Sequence, residues 1–232
     1  MSSQWYLGFG ASESLFRLNQ DYRASLSRES EKVQTEKLYN LLSEFADECL
    51  DQYFLSPIEN IQLNGVGKKI VVGGVSAIKG TIHLTLKQVT KKLSAQDRQQ
   101  LADYINDLML PLRESKRFPT YVAVPISDDL RRRLRDPVEN GRENPSAVAD
   151  AYTAALCELI DVAVEAYMNK PIRMLKLGLV LNKIATVASD TIKGAAHTVV
   201  KKVLHSMNDR EMLQFFDFSE SILYQPQQAL AA

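Results

Sequence analysis

Residues 69–89, KIVVGGVSAIKGTIHLTLKQV, and residues 183–203, KIATVASDTIKGAAHTVVKKV, are one stretch written twice at an offset of 114. The match extends without a gap from 38–112 onto 152–226. Eighteen of its 75 paired positions are identical, where unrelated chains of ordinary composition would share roughly 4 or 5. A tandem duplication is the direct reading, with a first repeat over 1–114 and a second over 115–232. Such units usually bury an apolar face on each other about a pseudo-twofold axis, so the two are expected to pack as one compact domain.

The opening stretch also sets local structure. Val71, Val75, Ile78, Ile82, Leu86, Val89 and Leu93 fall on one stripe of helical period, which predicts a helix over about 68–93. Its counterpart is expected over about 172–207, longer at the front because Asn64-Gly65-Val66-Gly67 interrupts the first copy alone. Upstream, Leu38, Leu42, Phe45, Cys49 and Tyr53 form a second stripe, matched by Tyr152, Leu156, Leu159, Ala163 and Tyr167. These predict helices over about 30–55 and 146–169, with Pro57 and Pro171 marking the turns. Downstream, Ser94 with Asp97 and Asn208 with Glu211 have the form of capping boxes, opening helices over about 95–110 and 209–223. Leu101, Ile105 and Leu108, and Phe215, Phe216 and Ile222, are their expected buried faces.

Residues 5–9 and 120–124 are short extended stretches, expected to pair as a two-stranded ribbon. Polar segments over 21–31 and 136–145 then lead to the long helices and read as loops. The expected fold class is all-α: a duplicated three-helix unit about a pseudo-twofold axis, carrying one short two-stranded β-ribbon.

Composition narrows the functional classes. With 28 basic and 28 acidic side chains there is no net field to attract nucleic acid. No apolar run is long enough for a transmembrane segment, and the first ten residues lack the pattern of a secretory signal. Cys49 and Cys157 fall at unequal repeat positions and read as small buried residues of a reduced, cytoplasmic protein. Gly65-Val66-Gly67-Lys68-Lys69 lacks the upstream Gly and following Ser or Thr of a phosphate loop. Gly74-Val75-Ser76-Ala77-Ile78 lacks the second Gly of a nucleophile elbow. Arg131-Arg132-Arg133-Leu134-Arg135 is flanked by Asp128, Asp129 and Asp136 without interleaved aromatics, as in a solvated helix end.

The polar residues identical in both copies are the candidates for function: Glu44/Glu158, Asp47/Asp161, Lys79/Lys193, His83/His197 and Lys87/Lys201. In an antiparallel hairpin turning near residues 57–65, Glu44 and Asp47 come opposite Lys79. The acids are therefore candidates for structural ion pairs that fix register. Lys79, His83 and Lys87 are spaced four apart and make one basic flank, repeated by Lys193, His197 and Lys201, which suits a small anion. A strip of small residues, Gly73, Ala77, Gly80 and Gly194, suggests a close crossing of the two repeated helices, with His83 and His197 nearby as metal ligands or bases. No motif implies a cofactor.

The leading expectation is a cytoplasmic helical interaction or assembly module without catalytic activity, meeting a protein partner or a second copy of itself. The alternatives are an anion- or metal-using enzyme at the helix crossing, and peripheral attachment to anionic membranes through the lysine-bordered helices.

Overall fold

The computed structural model describes residues 4–111 and 120–225. It is mostly helical with one small antiparallel sheet. The chain runs β1 (Trp5–Gly10), α1 (Glu13–Ser25), α2 (Glu31–Leu50), a π-helical turn (Asp51–Leu55), α3 (Ser56–Asn60), α4 (Gly65–Val89), α5 (Ala95–Leu108) and β2 (Met109–Pro111). It continues as β3 (Thr120–Ile126), α6 (Asp128–Asn140), α7 (Pro145–Val164), a second π-helical turn (Glu165–Asn169), α8 (Lys170–Met174), α9 (Leu179–Ser206), α10 (Asp209–Ser221) and β4 (Leu223–Tyr224). Apart from a 3-10 turn (Thr90–Lys92) after α4, the second series repeats the order of the first.

The sheet has four strands in the order β2-β3-β1-β4 rather than the expected two. β1 and β3 pair through Leu7↔Val124, Gly8↔Ala123 and Phe9↔Val122. Each half then adds its last strand to the other half's first, β2 to β3 and β4 to β1. With three and two residues, β2 and β4 are too short to show strand alternation in sequence.

α1 and α6 overturn the expectation of loops over 21–31 and 136–145, which they enter from the front. Both begin at a serine cap: the Leu15 N–H donates to Ser12 Oγ at 3.0 Å and the Leu130 N–H to Ser127 Oγ at 3.1 Å. α6 even carries Pro137 within it. The helix expected over 172–207 is also broken. Residues 175–178 leave the helix after α8, and Gly178 caps α9, so both copies are interrupted ahead of the long glycine-containing helix.

Pro57 and Pro171 do not end α2 and α7. Proline lacks an N–H for the carbonyl four residues earlier, which belongs to Tyr53 in one half and Tyr167 in the other, and its ring crowds that carbonyl. The helix widens to a π turn instead, closed by Ser56 N–H to Asp51 O and Lys170 N–H to Glu165 O. It then continues as α3 and α8.

Both capping boxes form. Each also fastens the opposite half: Asp97 Oδ1 accepts the Lys176 N–H at 3.0 Å, and Glu211 Oε1 accepts the Asn64 N–H at 2.6 Å. Burial alone would raise both carboxyls, but the N–H groups and polar side chains bonded to them outweigh it and hold both below the usual carboxylate range.

Candidate functional site

α4 packs most extensively on α9, its own counterpart. Asn64, at the start of α4, donates through Nδ2 to Ser206 O at the end of α9 at 2.8 Å. Further along, a Cβ on Gly74 would lie 2.2 Å from Val199 Cγ2. The helices are thus antiparallel, and Gly74 makes the close approach. The strip of Gly73, Gly80 and Gly194 does not, because a Cβ on any of the three meets nothing within 4 Å. Helical spacing had grouped the right helix with the wrong face.

The repeated polar residues form two equivalent clusters. Asp47 accepts from Lys79 Nζ at 2.8 Å and meets His83 Nε2 at 2.9 Å. Asp161 forms an ion pair with Lys193 Nζ at 2.9 Å and meets His197 Nε2 at 2.7 Å. Each histidine is therefore bonded within its own half. His197 Nε2 also approaches the Cys157 carbonyl, not its sulfur, and burial pushes that thiol up. Glu158 pairs with Arg133 at 2.6 Å, while Glu44 stands as a like charge beside Glu48. Lys87 and Lys201 point to solvent. Among the described residues no group of three or more His, Cys, Asp or Glu is arranged to hold a metal ion.

Arg131 lies over the Trp5 ring at 4.5 Å, and Arg132, Arg133 and Arg135 pair with Asp129, Glu158, Asp136 and Glu139. That cluster's charge is spent locally.

The outer face of the α4/α9 layer differs from the rest of the surface in two ways. Residues 65–92 and 179–206 carry ten lysines against one acid, Asp190. Val66, Val72, Leu84, Leu179, Val180 and Val187 are exposed on the same two helices, Leu179 at 92%. Val33 is the one other large apolar side chain so exposed among the described residues. No helix of the described residues is long and apolar enough to cross a membrane.

Beneath this layer lies a cavity of about 260 Å³, walled almost wholly by carbon. Its lining is twofold, with Ala46 and Ile160, Tyr53 and Tyr167, and Ile78 and Ile192 each contributing both members of a repeat pair. The cavity separates two clusters of buried side chains, one around the sheet and one around the α4/α9 seam. It explains why several stripe residues keep accessible surface in the interior: Cys49, Tyr53, Ala163 and Tyr167 face it.

One polar feature enters the cavity. The Tyr53 and Tyr167 hydroxyls lie 3.3 Å apart, repeat partner against repeat partner. Two phenol protons serve one hydrogen bond, so one has no acceptor among the described residues. Burial pushes both phenols, and the neighbouring Cys49 thiol, well up, so all three are neutral at physiological pH. Sequence reading took these tyrosines as core. The signal that separates them is a π turn on each side at the same position, a distortion that recurs at functional sites.

Neither known protein families, nor curated proteins, nor solved structures give a match to this chain.

Proposed function

We propose that this protein is a non-catalytic attachment module that docks on anionic lipid surfaces through the outer face of α4 and α9. The observation that carries the reading is the coincidence of ten lysines, eight on α4 and α9 and two on the turn directly after α4, with six exposed Val and Leu side chains in a chain of zero net charge. Lysines near an anionic leaflet each contribute about 1 kcal/mol, and apolar side chains add burial in the headgroup region. Lys79 and Lys193 are partly neutralised by Asp47 and Asp161, which leaves eight lysines to act outward.

We read the two halves as copies of one ancestral unit. The common element order, the Tyr53–Tyr167 contact and the mirrored register of β1 on β3 support that reading. The unpaired Cys49 and Cys157 are consistent with a reducing compartment such as the cytoplasm.

The test is co-sedimentation with vesicles containing phosphatidylserine and with vesicles of phosphatidylcholine alone. Binding to the first, weakening as salt rises and reduced by combined Lys68→Glu, Lys69→Glu and Lys183→Glu, is expected. Equal binding to both vesicles, or binding to neither, overturns the proposal. Saturable self-association at the same face would return the layer to an assembly role.

A further inference from the structure

Independently of lipid-surface docking, we propose that the central cavity binds one neutral, single-chain aliphatic molecule of about ten carbons, hydrogen-bonded through an oxygen to the Tyr53–Tyr167 pair. Three observations define the ligand.

The first is volume. An apolar cavity of about 150 Å³ holds the six carbons of benzene, so about 260 Å³ holds about ten. The second is shape. The cavity touches helices α2, α4, α5, α7, α9 and α10. Its lining runs from Leu7 on the sheet to Ile78 and Ile192 at the α4/α9 seam, a span that a flexible chain follows better than a compact ring. The third is polarity. No Lys, Arg, His, Asp or Glu lines it, so an ionised head group inside would be buried without a partner. Thr85 and Thr90 give their hydroxyl protons to carbonyls of their own helix, and Ser219 accepts from Tyr152 and donates to Phe216 O. Tyr104 donates to Ala166 O, and the Cys49 S–H is only a weak donor, so the tyrosine pair supplies the spare strong donor, which matches the oxygen of an alcohol or of an acyl carbonyl.

The two π turns set this donor in place. Each is enforced by a proline four residues beyond its tyrosine, and each aims a phenol at the same point between the halves. A single ligand on the axis can reach either hydroxyl, so the duplicated donor serves one molecule.

The experiment is displacement of naphthalene, a neutral apolar fluorophore of ten carbons, from the full chain by 1-decanol, decane and decanoate, with thermal unfolding measured in parallel. 1-Decanol should displace the probe and raise the melting temperature, whereas decanoate at pH 8 should be at least about tenfold weaker because its charge is stranded. Ala163→Phe fills the cavity and should abolish displacement; Ala46→Leu, a smaller filling change, serves if the first variant fails to fold. Tyr53→Phe with Tyr167→Phe should leave decane binding in place and reduce the preference for 1-decanol about three- to tenfold, the worth of one hydrogen bond. Lys68→Glu, on the outer surface, should change none of these and so separates the cavity from membrane docking. Failure of 1-decanol to displace the probe or shift unfolding overturns the proposal. So does displacement that survives both filling variants, and decanoate binding as tight as 1-decanol removes the neutral-head assignment.

Discussion

Replacing Gly74 with alanine tests the crossing on which both the cavity and the outer face depend. The new Cβ would stand 2.2 Å from Val199 Cγ2, with Val199 Cβ at 3.6 Å behind it. Valine in a helix has essentially one comfortable χ1 rotamer, so the methyl cannot simply swing aside. Relief takes an off-rotamer side chain or a small separation of α4 from α9, and overpacking of this kind typically costs about 1–3 kcal/mol. Against that, exchanging glycine for alanine inside a helix returns about 0.5–1 kcal/mol. Gly73 is the internal control, since alanine there meets nothing within 4 Å and receives the helical gain alone. The two variants should therefore differ by about 1–3 kcal/mol, with Gly73→Ala more stable than wild type and Gly74→Ala below Gly73→Ala. In a chain of this size each kcal/mol moves the melting temperature by about 2–4 °C, which circular dichroism at 222 nm resolves. Adding Val199→Ala to Gly74→Ala should recover much of the overpacking loss. If Gly74→Ala stabilises as much as Gly73→Ala, the antiparallel contact at this point is wrong.

The Asp47–Lys79–His83 and Asp161–Lys193–His197 clusters are partly exposed, so Asp47→Asn with Asp161→Asn should lower stability by no more than about 1 kcal/mol per site, and a larger loss in urea unfolding would show that they do more than fix register. Asp97 and Glu211 titrate lower folded than unfolded, so the unfolded chain takes up protons first on acidification. Their contribution is full above the usual carboxylate values of about 4 and is lost as pH falls through the lower folded values. Asp97→Asn with Glu211→Gln should therefore flatten the acid limb of a stability profile and cost about 1 kcal/mol per cap at pH 7; an unchanged limb would refute the assignment.

The long helices were legible because their buried faces obey one period and their starts carry chemistry. Val71, Val75 and Ile78 give the stripe, while Ser94–Asp97 and Asn208–Glu211 give caps that bond as their spacing implies. α1 and α6 were legible in principle, since Ser12 and Ser127 stand three residues ahead of Leu15 and Leu130 in matched contexts, yet the polar residues that follow resemble a loop. Proline misleads at residues 57 and 171 because the ring forbids one hydrogen bond, not the helix, and a π turn accommodates it. Pairing of Asp47 with Lys79 follows from counting outward from the hairpin turn. The addition of His83 to the same carboxylate does not, because one helical turn can lead toward the acid or away from it.

The glycines and the cavity share a deeper reason for being illegible. A stripe of Leu, Ile and Val records which side chains avoid water, and a void between helices satisfies that requirement as well as contact does. Cys49, Tyr53, Ala163 and Tyr167 therefore carry the same pattern as Leu38 and Tyr152, which are fully enclosed. Small residues are equally ambiguous, since glycine at position 80 and glycine at position 74 have the same side-chain chemistry, and only the facing atom, open space or Val199 Cγ2, distinguishes them. On the proposed reading of the two halves as copies of one unit, their pairing adds a constraint that single-copy patterns lack. Any residue near the axis meets its own equivalent, so a tyrosine brings a second tyrosine, and two phenols facing each other cannot both place their protons in one bond. The Tyr53–Tyr167 contact thus leaves an unsatisfied donor, and the cavity that both tyrosines line gives the donor room for a third group to accept from it.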